Sequence, residues 1–233
     1  MFNLLKKIIN ELYHPHSPYN FSVFYADFFG DIYEDYLTKS IKKENNSLIL
    51  SEKEEYLDGD IVSTPNPIVD NLTEKTFKNY FNTDINIPRV LDPAVGSGRF
   101  LLSAYDSILY NLYDDAVINV KKKIEILENL FGIDKDYLAI DTTKFSLYIK
   151  ILEGENYESI NNDNNLLPNL DKNIFFGNSI IGTDFPDQHK DIQPLNWENI
   201  FENKKFNIII GNPPYVKTED IKKCLVLQWQ HHL

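Results

Sequence analysis

The chain has 233 residues, of which 42% are hydrophobic and 25% charged, so it can bury a sizeable core without staples, which excludes a disordered tail or a mini-protein. Its 35 acidic and 23 basic side chains leave a net charge of −12, the wrong sign for a surface that grips phosphates broadly, so any contact with nucleic acid is local or assisted. The single cysteine, Cys224, permits neither an internal disulfide nor a cysteine metal cluster, which points to a reducing compartment and the cytoplasm.

At the start, Phe2, Leu5, Ile9 and Leu12 recur at helical spacing, while Lys6, Lys7, Asn10 and Glu11 interrupt what a signal peptide would keep apolar. A short amphipathic helix is expected there. No apolar run approaches the ~20 residues of a membrane span, so no membrane partner is expected. Residues 14–19, 42–55 and 158–173 read as surface connectors rich in proline, charge or asparagine.

Between the connectors a short apolar strand, a turn and a period-3.6 segment alternate, the pattern of a parallel sheet covered by helices. Strands are expected at residues 89–92, 130–134, 173–177 and 206–211, the last a continuous apolar run suited to burial on both faces. Phe100, Ala104, Ile108 and Leu112 share one face of the helix after the first strand. Ile140, Thr143, Leu147 and Ile151 share one after the second. Ligands of such sheets sit outside the carboxyl ends of the strands. All four strands end there in polar or glycine-rich turns, at residues 92–98, 134–136, 177–179 and 212–215.

The first turn reads DPAVGSGRF. Gly96 and Gly98 can take positive φ and admit a ligand to the backbone, while Asp92 at the strand tip repels phosphate and attracts a cation or a hydroxyl. No GKS or GKT of a P-loop is present. Asp134 at the second tip stands where dinucleotide-type folds place a ribose-binding acid, though a strand-end Asp also serves as a helix N-cap. In the fourth turn, NPPY, two prolines stiffen the backbone. Asn212 and the Pro213 carbonyl offer acceptors, and Tyr215 offers a ring on which a planar base can stack.

In this order DPAVGSGRF, FGIDKD, FGNSI and IIIGNPPYV resemble the cofactor and catalytic motifs of adenine-specific DNA methyltransferases of restriction and modification systems, which use S-adenosyl-L-methionine. DFFGDIYEDYL (residues 27–37) resembles the helix preceding their cofactor domain, and STPNPIVDNL (63–72) their threonine-proline motif. The resemblance implies an α/β, Rossmann-like methyltransferase fold, a parallel sheet with helices on both faces. It implies a helical segment over residues 1–58 and a methyltransferase domain over 59–233 that is incomplete at its C-terminus.

By the same resemblance Asp92, Pro93, Gly96, Gly98 and Phe100 line the methionine side of the cofactor, Thr64 and Pro65 close over it, Asp134 takes the ribose hydroxyls and Asn178 lies near the adenine. Asn212, Pro213, Pro214 and Tyr215 form the catalytic turn. Asn212 and the Pro213 carbonyl hold the amine hydrogens of a flipped adenine, and Tyr215 stacks on it. The expected substrate is double-stranded DNA, met through a missing or separate target-recognition region, with a partner subunit completing the fold where the chain is split.

Three departures from the family pattern stand out. Lys135 follows Asp134 where an apolar residue is usual. Val62 and Ser63 replace aromatics before the threonine-proline pair, and Asn178 stands where many relatives carry Asp. A further departure is that only 18 residues follow Tyr215. Glutamine methyltransferases acting on release factors also carry NPPY, but with a first motif closer to DxGTGSG. A noncatalytic cofactor-binding subunit is the third reading. His14, His16, His231 and His232 lack further metal ligands at turn or helix spacing, and Cys224 lacks the preceding proline of cytosine methyltransferases.

Overall fold

The computed structural model describes Lys6 and residues 25–44, 47–52, 64–114, 118–155, 167–182, 193–201 and 205–213. The expected first helix lies outside these residues, Lys6 apart. At the centre is a four-stranded parallel sheet of β3 (Val90–Asp92), β4 (Leu130–Asp134), β5 (Ile174–Phe176) and β8 (Ile208–Ile209), in the order β5-β4-β3-β8. All four strands fall within the apolar runs singled out in the sequence, β8 covering only Ile208 and Ile209 of residues 206–211 and burying one face instead of the two expected.

Strand alternation sends two sets of side chains to opposite faces. Val90, Leu130, Ile174 and Ile208 join one core cluster with α3 (Arg99–Tyr113), α4 (Val120–Leu127) and α5 (Tyr137–Leu152). Here Ala104 and Ile108 of α3 and Leu147 and Ile151 of α5 are buried, as their four-residue spacing requires. Helix α2 (Asn66–Phe81) adds Phe77 to the same cluster. On the other face Leu91, Phe131 and Ile133 meet Leu195, Phe201 and Trp197 from β7 (Pro194–Leu195) and the short α6 (Trp197–Phe201). That face is more thinly covered, and Ile209 remains 67% exposed. Strand β7 pairs in parallel with β6 (Asn178–Gly182). Helices on both faces of a parallel sheet match the Rossmann-like fold that the sequence resemblance implies.

Helix α1 (Asp27–Thr38) lies outside the sheet and packs on α5 and α3. It continues into an antiparallel hairpin of β1 (Lys39–Glu44) and β2 (Ser47–Glu52). Part of the stretch read as a connector therefore pairs. Its lysines sit opposite leucine, isoleucine or glutamate, at Lys43↔Leu48, Lys42↔Ile49 and Lys39↔Glu52, so backbone pairing rather than a buried face defines it, and Ile41, Leu48 and Leu50 stay exposed. Among the described residues no helix is long and apolar enough to cross a membrane.

The sheet order places the functional region. From β3 the chain moves to β4 on one side, and it returns with β8 on the other. The carboxyl ends of β3 and β8 therefore flank the point where strand order reverses, the crevice in which ligands of open α/β sheets bind.

Candidate active site

Asp92 ends β3 and is 1% exposed. Its Oδ1 accepts from the Ala94 N–H at 3.0 Å, which closes the turn. Its Oδ2 is buried without a hydrogen-bond partner among the described residues. Burial pushes this carboxyl up to about 7, against the Ala94 hydrogen bond, and the nearby Asp134 charge adds to the rise. An orphaned buried carboxylate oxygen is costly, and a cation or donor brought beside it relieves the cost.

The turn that follows is held on several sides. Gly96 and Gly98 have φ of 53° and 87°, a region costly for other residues. The Gly96 N–H donates to Asp134 Oδ2 at 2.9 Å, and its carbonyl accepts from Thr143 Oγ1 of α5 at 3.1 Å. A side chain on Gly98 would lie 3.1 Å from Thr143. Ser97 Oγ donates to Glu34 Oε1 of α1 at 2.9 Å, and a Cβ on Gly30 of α1 would lie 3.2 Å from the Ser97 Cβ, so a glycine there eases the close packing.

Arg99, the first residue of α3, gathers the surrounding elements. Its Nε donates to Glu34 Oε1 at 2.7 Å, and its Nη2 to Glu34 Oε2 at 2.8 Å and Asp31 Oδ1 at 2.5 Å. Its Nη1 donates to Asn66 Oδ1 at the start of α2. This fork-shaped pairing ties α1 and α2 to the glycine turn.

Asp134 ends β4. Its Oδ1 accepts from the Asp136 N–H at 2.9 Å, while Oδ2 serves Gly96. Burial raises this carboxyl too, with the Gly96 and Asp136 N–H groups opposing. The helix N-cap role falls to Asp136, whose Oδ1 accepts from the Leu138 N–H while its Oδ2 accepts from Tyr33 of α1 at 2.8 Å. Asp134 is thereby left facing the glycine turn. Beside it, Tyr137 stacks on Phe176, the strand partner of Asp134, with ring centroids 4.0 Å apart. Tyr137 is exposed, and so is Lys135.

The residues after β8 meet this turn directly. Gly211 lies against Asp92: a Cβ there would sit 2.3 Å from Asp92 Oδ1. Asn212 Nδ2 donates to Thr64 Oγ1 at 3.0 Å. Pro213 is exposed, and Pro214 and Tyr215 lie outside the described residues. Pro65 is exposed at the N-cap position of α2, and its carbonyl accepts from Ile68 and Val69. The structure thus brings Thr64, Asp92, Gly96, Gly98, Asp134, Gly211 and Asn212 into one connected cluster, with Pro93 half-buried in the turn. Phe100 is buried in the first turn of α3. Asn178 opens β6, its side chain accepting from the Ile180 N–H at 2.9 Å.

Sequence reasoning missed Thr143, Glu34, Arg99, Tyr33 and Tyr137. Gly211 carried a readable signal: a glycine closing an apolar strand run marks a close backbone approach. Lys123 is buried and pairs with Glu155 at 2.5 Å, and it donates to the carbonyls of Ile151 and Glu153 at the end of α5. His14, His16, Cys224, His231 and His232 lie outside the described residues.

Residues 128–232 match the family described as Eco57I restriction-modification methylase. The chain is 37% identical to the type II restriction enzyme and methyltransferase RM.Eco57I of Escherichia coli, over 93% of this chain and 24% of that protein. It is also 37% identical to the putative type II restriction enzyme and methyltransferase RM.MjaORFECS2P of Methanocaldococcus jannaschii, over 44% of this chain and 9% of that protein. The chain therefore spans about a quarter of the first relative's length and less than a tenth of the second's.

Proposed function

Since the chain belongs among the restriction-modification methyltransferases, we propose that it methylates the exocyclic amine of adenine in double-stranded DNA, at the crevice between β3 and β8. The observation that carries this reading is the meeting of the two turns: Gly211 rests on Asp92, and Asn212 is bonded to Thr64.

The residues present suit S-adenosyl-L-methionine. The unpartnered Asp92 Oδ2, a second carboxylate at Asp134 and the two positive-φ glycines make an acidic crevice that favours a cation. When bound, the cofactor supplies a methyl group on a sulfonium. Asp92, Pro93, Gly96 and Gly98, with Thr64 and Pro65, would hold its methionine side. Asp134 would take the ribose hydroxyls, and Asn178 and the Tyr137–Phe176 stack would flank the adenine.

For the target base, the Asn212 side-chain oxygen and the Pro213 carbonyl accept the two amine hydrogens. That contact favours a pyramidal nitrogen and aims its lone pair. Pro214 stiffens the turn, and Tyr215 stacks on a base taken out of the duplex. Positioning and fixed dipoles carry the acceleration, with no covalent intermediate on the protein. The net charge of −12 leaves sequence-specific grip on DNA to a separate target-recognition region or partner subunit. A DNA substrate and a single cysteine both suit the cytoplasm.

The test is transfer of labelled methyl groups to unmethylated duplex DNA, followed by digestion to nucleosides. Label in N6-methyladenine is expected. Label in methylcytosine would overturn the adenine assignment, and label in a protein glutamine instead of DNA would overturn the substrate.

A further inference from the structure

Resting on that reading, we infer that the Thr64 hydroxyl is a positioning group for catalysis: it accepts from the Asn212 amide nitrogen and so holds that side chain with its oxygen end turned away from Thr64. An asparagine side chain carries a donor end and an acceptor end of nearly equal size, and its terminal torsion has two comparable orientations. Only the oxygen end can accept a hydrogen from an exocyclic amine. The reversed orientation would set donor against donor.

In the structure Nδ2 points to Thr64 Oγ1 at 3.0 Å, which commits the nitrogen and leaves Oδ1 available. Thr64 is itself fixed. Pro65 follows it with φ −57° and ψ 137°, and the Asn66 side chain accepts from Arg99, which also holds Glu34 and Asp31. Ser97 of the glycine turn donates to the same Glu34 oxygen. A path of polar contacts therefore runs from the glycine turn through Glu34 and Arg99 to Asn66, and the backbone carries it through Pro65 to Thr64, which bonds the Asn212 amide. The orientation of Asn212 is thus registered to the turn assigned to the methyl donor.

The test compares Thr64→Val, which keeps the shape and removes the hydroxyl, with Thr64→Ser, which keeps the hydroxyl. Two measurements on the full chain separate the possibilities. One is the Asn212 side-chain amide pair in 15N–1H spectra, assigned by its loss in Asn212→Asp. The other is kcat for methyl transfer to unmethylated DNA beside the calorimetric dissociation constant for S-adenosyl-L-methionine.

Thr64→Val is expected to move the Asn212 amide resonances and speed their exchange. It should lower kcat roughly 10-fold, the scale of one lost hydrogen bond, a larger change than any in cofactor affinity, because Thr64 also borders the methionine side of the cofactor. Thr64→Ser is expected to restore both readouts. Unmoved Asn212 resonances in Thr64→Val would overturn the inference, as would a deficit confined to cofactor affinity or an equal deficit in Thr64→Ser. Expected amide behaviour in a wild-type chain that methylates no DNA would instead count against the proposed activity and leave the amide orientation standing.

Discussion

The turn after β3 is anchored from four directions: by Asp134 on β4, Thr143 on α5, Glu34 on α1, and Arg99 reaching to α1 and α2. The residues after β8 are held differently. Among the described residues they meet the rest through the Ile210 N–H to Leu91, the contact of Gly211 with Asp92 and the Asn212 bond to Thr64. The first turn is thus built into the core, whereas the second takes its position from one carboxylate and one hydroxyl. Loss of a side chain that anchors the first should register as stability, and loss of the Asn212 side chain from the second as turnover.

Asp92 belongs to both turns, and its carboxyl carries the largest expected effect. Its folded value of about 7 lies above the usual carboxylate range, so the folded chain keeps a proton that the unfolded chain releases near pH 4. Stability should therefore fall as pH rises from about 4 to about 7, by on the order of 4 kcal/mol. Asp92→Asn should remove that slope. Urea denaturation across this pH range checks it, and parallel curves for the two proteins would deny Asp92 its buried setting.

Arg99→Ala is next, because it takes the guanidinium from the Glu34 carboxylate that braces the glycine turn. A loss of about 3 kcal/mol is expected from breaking the shielded Arg99–Glu34 pair, measured as a shift in urea midpoint at constant slope. A surface-like loss below about 1 kcal/mol would show that the first turn does not depend on α1.

Asn212→Ala should reverse the pattern. Turnover should fall roughly 10²-fold, the scale of one preorganised polar group, while the denaturation midpoint stays in place. Single-turnover methyl transfer reads the first and thermal melting the second. A destabilised but fully active variant would erase the distinction between the turns.

The smallest effects come from the glycines. Gly211→Ala places a methyl 2.3 Å from Asp92 Oδ1, an overpacking expected to cost about 2 kcal/mol. Gly96→Ala meets nothing within 4 Å and carries only its φ of 53°, about 1 kcal/mol. Thermal melts of the two variants should rank them in that order.

The parts legible in the sequence were those written locally. β3, β4, β5 and β8 are apolar runs ending in polar turns, and the stripe of Ile140, Thr143, Leu147 and Ile151 marks α5 by its spacing. The hairpin was missed because Lys39, Lys42 and Lys43 mask the alternation of its strands, which bury no common face. The contacts that brace the site were illegible for another reason. Glu34 and Arg99 are 65 residues apart, Tyr33 and Asp136 are 103 apart, and Thr64 and Asn212 are 148 apart. No local pattern records such a pair, and only the closing of the sheet brings its members together.

The most direct measurement is a crystal structure of the chain with sinefungin, an analogue carrying an amine where the cofactor carries its methyl. The account predicts its amino-acid end at Asp92 and the Gly96–Gly98 turn, its ribose on Asp134 and its amine-bearing carbon facing Asn212. Sinefungin bound elsewhere, with packed side chains filling the space between Asp92 and Asn212, would contradict it.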